Sequence, residues 1–204
     1  MSDTHFWDRA APKYARDPIS DPAAYAATLT RMRQILQPHH RVLEIGCGTG
    51  STALELARGV AEYHATDLSP GMIRIARDKL GADGPDNLTF EPAPAGDLPD
   101  GPFDAVLALN LLHLVPDLEE VIARIFRTLP PGGLFLSKTA LLRDGAFYLP
   151  WLVRGMRLVG KAPTVRMLRE GDLTAALTEA GFELDETLLQ PGMAPRLFVV
   201  ARKP

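Results

Sequence analysis

The chain has 204 residues, 46% hydrophobic and 23% charged, with a formal net charge of −3. That composition suits one globular domain, able to bury about 70% of its extended surface, and argues against disorder. A single cysteine, Cys47, excludes an intramolecular disulfide; no uncharged apolar run approaches the ~20 residues of a membrane span; and the acidic balance disfavours a nucleic-acid partner.

The amino terminus is polar, carrying Asp3, Asp8 and Arg9 without an apolar stretch of the signal-peptide kind, so the chain is expected to be cytoplasmic. Residues 1–37 are expected to be a helical cap containing a helix over Pro22–Leu36. The first strand is expected at Arg41–Ile45, followed by the glycine loop Gly46-Cys47-Gly48-Thr49-Gly50 and a helix over about 50–58. Alternate glycines let backbone turn sharply and approach a ligand, and a helix opening there aims free N–H groups at it. The second strand, Tyr63–Asp67, ends in an acid about 20 residues beyond the glycines, the place from which a carboxylate can take ribose hydroxyls.

Ser69 and then Pro70 form a cap and a first-turn proline for a helix over 70–80. Strands are expected at Leu88–Glu91 and Phe103–Asn110. A capping-box pattern, Asp117-x-x-Glu120, should open a helix over 117–129. A strand at Gly133–Thr139 and a helix over 172–180, closed by Gly181, lead to strands Phe182–Leu189 and Arg196–Arg202. About six residues separate those last two strands, too few for a crossover helix, so they should pair antiparallel. Strands alternating with helices imply an α/β domain on a parallel sheet, and a single domain spans residues 1–204.

The glycine loop departs from the dinucleotide pattern, since its third glycine is Gly50 and Ser51 follows. Glu44, two residues before the first glycine, would repel a pyrophosphate and favour a cation such as a sulfonium. In these features the segment 41–50 resembles the first motif of the class I S-adenosylmethionine-dependent methyltransferases, and Asp67-Leu68-Ser69-Pro70-Gly71-Met72 resembles their second. The resemblance implies a Rossmann-like seven-stranded sheet of order 3-2-1-4-5-7-6, with strand 7 antiparallel and helices on both faces. It also implies S-adenosyl-L-methionine as cofactor.

Carried over residue by residue, Gly46 and Gly48 would offer backbone to the methionine portion and ribose. Asp67 would take the ribose hydroxyls, and Leu68 and Met72 would pack against the adenine; Glu44 belongs to the same cofactor-binding set, shaping the loop. At the exit of the third strand the usual acid is replaced by Pro94. The adenine contact then falls to the N–H of Ala95 or to the carboxylate of Asp97. Leu109-Asn110-Leu111-Leu112-His113 resembles the fourth motif of small-molecule enzymes, with Asn110 facing the methionine end and His113 either a general base or structural. Phe6–Tyr14 resembles the cap segment of ubiquinone-type and phospholipid-type methyltransferases, in which a tyrosine placed like Tyr14 closes over the cofactor.

Methyl transfer requires positioning and exclusion of water, without a metal or a covalent nucleophile. The five histidines show no zinc-ligand spacing. The acceptor is expected to be a small molecule, with residues 141–170 a lid-like insert. From Leu141 to Arg169 there are six cations against one acid, Asp144. Leu149, Leu152, Val153, Met156 and Val159 recur at helical spacing beside Arg154, Arg157 and Lys161, in a helix begun at Pro150. Either this helix packs on its own domain, or Tyr148, Trp151 and Arg154 meet an amphiphilic acceptor drawn from an anionic membrane surface. A nicotinamide oxidoreductase and a non-catalytic cofactor-binding sensor stand as alternatives.

Overall fold

The computed structural model describes residues 3–158 and 162–204, with backbone only at Pro150 and Leu158. Its frame is a seven-stranded sheet of order β3-β2-β1-β4-β5-β7-β6. The strands are β1 (Arg41–Ile45), β2 (Glu62–Asp67), β3 (Leu88–Pro92), β4 (Ala105–Leu109), β5 (Leu134–Ala140), β6 (Glu183–Gln190) and β7 (Arg196–Arg202). The first five pair in parallel; β7 runs antiparallel to both β5 and β6. The short β6–β7 connection enforces that reversal, as its length predicts.

Seven α-helices are described: α1 (Asp3–Arg16), α2 (Pro22–Ile35), α3 (Ser51–Leu56), α4 (Pro70–Leu80), α5 (Leu118–Thr128), α6 (Leu149–Leu158) and α7 (Glu170–Glu179). The amino-terminal cap is therefore two helices. A 3-10 turn, Ala57–Gly59, completes the segment predicted as one helix over 50–58. The Ser69 hydroxyl accepts from the Met72 N–H at 3.1 Å, as a cap before Pro70 should. The capping box expected at Asp117 does not form: its side chain caps nothing, and α5 begins at Leu118.

Side chains alternate across the strands, so each face of the sheet carries its own core. Leu43, Ile45, Val106, Phe135 and Val199 pack on one face against Ile122 and Ile125 of α5 and Leu173 and Leu177 of α7. Val42, Leu107, Leu136 and Phe198 pack on the other against Met32 of α2, Leu56 of α3 and Ile73 of α4. Strands β4 and β5 are nearly buried throughout, as strands covered on both faces must be. Edge strand β6 is guarded by Glu183, Asp185 and Glu186, whose charges oppose pairing with another chain. Chain order reverses between β1 and β4, and that switch point opens a crevice past the carboxyl ends of the strands.

Candidate cofactor site

The crevice holds a cavity of about 470 Å³ whose walls include Gly46, Gly48, Asp67, Leu68, Met72, Ala95 and Asn110. Its floor is the glycine loop. Gly46 and Gly48 adopt φ of +70° and +56°, the left-handed region that costs glycine nothing. A Cβ on Gly46 would lie 2.7 Å from Leu111 Cδ1, so a side chain there would also have to displace that leucine from the cavity wall. The Cys47 N–H donates to the Thr66 carbonyl at 2.9 Å, tying the loop to β2. Lys79 braces it from α4, donating to the hydroxyls of Thr49 (2.8 Å) and Ser51 (3.1 Å).

Asp67 is held from two sides. Its Oδ2 accepts from the Gly48 N–H and its Oδ1 from the Ser69 N–H, each at 2.9 Å. These bonds fix the carboxylate at the cavity wall and leave each oxygen a further acceptor position. Burial pushes its pKa above the ordinary value, against the lowering effect of the two N–H donors. The fit to an adenosyl group rests on this pairing of a pinned carboxylate with a backbone cradle that a side chain would fill.

Glu44 lies beneath the loop and is 2% exposed. Its Oε2 accepts from the Tyr63 hydroxyl at 2.9 Å, and burial raises its pKa to about 7. It stands outside the cavity lining and supports the loop from behind, apart from the expected cofactor-binding residues that line the cavity. At the exit of β3, Ala93 through Gly96 line the cavity while Asp97 does not. The Asp97 N–H instead closes a turn onto the Pro94 carbonyl at 2.9 Å. Of the two contacts expected there, the geometry favours Ala95.

Asn110 is the one residue other than glycine with positive φ, +56°, among the described residues. Its N–H donates to the Lys138 carbonyl at 2.6 Å, so the chain turns off β4 toward the cavity. Asparagine is among the few residues that tolerate this conformation. His113 lies behind that turn. It is absent from the cavity lining, its Nδ1 has no partner among the described residues, and its carbonyl accepts from the Arg166 N–H at 2.7 Å. Burial, with a smaller effect from Arg196, lowers its pKa to about 4, so the imidazole is neutral at pH 7.

The roof comes from α1. Tyr14 lies over the loop, its Cε1 3.8 Å from where a Cβ on Gly48 would sit. Loss of water, and then the nearby Asp67, raise its pKa. Trp7 and Asp3 line the cavity from the same helix. Two latches hold α1 down. Asp8 Oδ1 accepts from the Ser69 hydroxyl at 2.6 Å and the Gly71 N–H at 2.9 Å; Asp3 Oδ1 accepts from the Thr164 N–H at 3.1 Å and its hydroxyl at 3.2 Å. Only Tyr14 of these was legible as a site residue. For Asp8 the available signal was its place inside the Phe6–Tyr14 segment.

Tyr148, Trp151 and Arg154, expected to face the acceptor, stand outside the cavity with exposed side chains. The tail of the insert, rather than its helix, makes the contacts with α1 and the start of α5. There Thr164 meets Asp3, and the Arg166 guanidinium pairs with Glu119 and donates to the Pro116 carbonyl at 3.3 Å. Val159 and Lys161 lie outside the described residues. Among the described residues no three His, Cys, Asp or Glu side chains converge as a metal site.

A methyltransferase domain model matches residues 42–133. The chain is 34% identical over 182 residues to the malonyl-[acyl-carrier protein] O-methyltransferase of Geobacter sulfurreducens, covering 80% of this chain and 66% of that protein. It is 35% identical over 152 residues to the 27-O-demethylrifamycin SV methyltransferase of Amycolatopsis mediterranei, covering 72% and 56%. Across its first curated relatives the chain spans 5 to 56% of the relative's own length. In fold it is similar to the phosphoethanolamine N-methyltransferase 2 of Haemonchus contortus, solved with phosphomonomethylethanolamine and S-adenosylhomocysteine. The TM-score is 0.80 at 17% identity, covering 100% of this chain and 61% of that one.

Proposed function

The chain belongs to the class I S-adenosylmethionine-dependent methyltransferases, and from that membership we propose that it moves a methyl group from S-adenosylmethionine to a small hydrophobic or amphiphilic acceptor. The observation that carries the donor half is the Asp67 carboxylate, pinned by the Gly48 and Ser69 N–H groups at the wall of a cavity floored by glycine backbone. Gly46, Gly48 and Asn110 would hold the methionine end, Asp67 the ribose, and Leu68, Met72 and Ala95 the adenine. The bound cofactor supplies an electrophilic sulfonium methyl. The protein's share is to orient the donor beneath Tyr14, exclude water with α1, and leave one direction of approach open.

The acceptor reading rests on the apolar character of that approach. Leu111, Leu114, Val115 and Trp7 line it, a surface suited to a ring or an acyl chain. The relatives are named for 27-O-demethylrifamycin SV, for malonyl-[acyl-carrier protein] and, in Rhodobacter capsulatus, for magnesium-protoporphyrin. His113 is absent from the cavity lining, so a phenol or ammonium acceptor would lose its proton to solvent or to another group of the site before or during methyl transfer.

Calorimetric titration with S-adenosylmethionine and with NAD tests the donor: binding of the first alone is expected, and binding of NAD would favour an oxidoreductase. Labelled cofactor offered with phenols, quinols, amines, carboxylates and lipids tests the acceptor. A protein that binds the donor tightly but labels none of these would be a sensor.

A further inference from the structure

The cavity explains the glycine loop, Asp67 and α1, but it does not explain α6. This helix turns a row of large apolar side chains to solvent: Phe147 just before it is 89% exposed, Trp151 is 74%, and Tyr148, Leu152 and Met156 are all exposed. Met193, at the tip of the β6–β7 hairpin, extends the patch and is 64% exposed. The hairpin is tied to the start of α6, since the Ala146 N–H donates to the Met193 carbonyl at 3.0 Å. The exposed apolar side chains therefore span two elements that are joined by a backbone hydrogen bond.

Its position around the helix is ordered. At about 100° per residue, Tyr148, Trp151, Leu152 and Met156 occupy one arc, and the buried Leu149 lies to one side of it. Arg154 flanks the arc on the other side, about 60° from Trp151, with Arg157 a further 60° or so beyond. Both arginines are exposed and make no ion pair among the described residues. No acid occurs in α6, and the nearby Asp144 is engaged with the Glu170 N–H at 2.7 Å. In a chain of net charge −3 this is a local reversal of sign.

We infer that α6 and the hairpin tip form a docking surface for an anionic lipid bilayer, with Phe147, Trp151 and Met193 entering the interface and Arg154 and Arg157 meeting the headgroups. Aromatic side chains with cations on the flank are what the headgroup boundary accommodates, and no described helix is long and apolar enough to cross a membrane. The helix leaves β5 at the carboxyl-terminal edge of the sheet, the edge that holds the cavity. Docking there would set the crevice beside the lipid surface. Charge complementarity selects this occupant over a second copy, because two copies would bring Arg154 and Arg157 against the same cations.

Cosedimentation of the full chain with vesicles of phosphatidylglycerol and phosphatidylcholine, and with phosphatidylcholine alone, tests the inference. Binding to the anionic vesicles only is expected, weakening as salt shortens the screening length. Tryptophan emission should shift to the blue on binding, and the W151S variant should lose most of that shift. The R154E/R157E variant should bind at least about tenfold more weakly, while its melting temperature and its affinity for S-adenosylmethionine stay those of the parent. Absence of binding at low salt, or equal binding by R154E/R157E, would overturn the inference. So would a concentration-dependent dimer in the ultracentrifuge that F147S/W151S dissolves, since the patch would then serve self-association. Donor affinity is read separately, so a failure here leaves the methyltransferase reading standing.

Discussion

At the scale of single residues, the site depends on which acids reach the cavity. Asp67 does, with two N–H donors holding it and free acceptor positions remaining. Replacing it with alanine should weaken S-adenosylmethionine binding by about 1.5–3 kcal/mol, the cost of hydrogen bonds lost to a charged group. The loss measured by calorimetry will include some loosening of the loop, because the Gly48 N–H also loses its partner. Asp97 provides the contrast. Its turn uses its backbone, and its side chain stands outside the cavity, so Asp97→Asn should change donor affinity by less than about 0.5 kcal/mol. A larger loss with unchanged apo melting temperature would show that the carboxylate swings in to meet the adenine.

At the scale of elements, the amino-terminal helix behaves as a roof fastened at two points. Asp8 does two things at once: it accepts from the Gly71 N–H, an unpaired donor in the first turn of α4, and it ties α1 to that turn. It also accepts from Ser69, whose hydroxyl caps α4 and whose N–H holds Asp67. Asp8→Ala should therefore lower stability by about 1–2 kcal/mol, the range of a lost helix cap, and should also weaken donor binding. Limited proteolysis should cut within residues 3–20 faster in this variant. S-adenosylhomocysteine should protect the parent chain more than the variant.

At the scale of the whole molecule, two buried groups pull stability in opposite directions with pH. Glu44 is held above its ordinary pKa of 4.5, at about 7, so the folded chain keeps its proton longer than the unfolded chain does. Stability is then lost as pH rises from about 4.5 toward 7, by as much as about 3 kcal/mol. Glu44→Gln keeps an oxygen for the Tyr63 hydroxyl and removes the ionisation. It should match the parent near pH 4.5 and exceed it at pH 8 in melting temperature. His113 is held below its ordinary 6.5, at about 4, so the unfolded chain takes the proton first. Its contribution is present above pH 6.5 and lost as pH falls toward 4; His113→Asn should flatten that acid limb in a thermal-melt series.

What the sequence determined by itself was whatever short-range chemistry fixes. The glycine loop, the strand-end Asp67, the Ser69–Pro70 helix start and the antiparallel final hairpin each lie within a few residues of the features that cause them, and each formed where the pattern placed it. Element ends moved by one or two residues, and the Asp117 box failed, because a cap is decided by which N–H groups the turn leaves unpaired. The tertiary structure alone decided which side chains meet across the fold. Asp8 reaches Gly71 over a separation of 63 residues, and Asp3 reaches Thr164 over 161. Glu44 turned to Tyr63, His113 fell behind the wall, and Trp151 pointed to solvent because strand order and helix packing set their directions. No local propensity encodes those directions, since they exist only once the sheet has brought distant segments into contact.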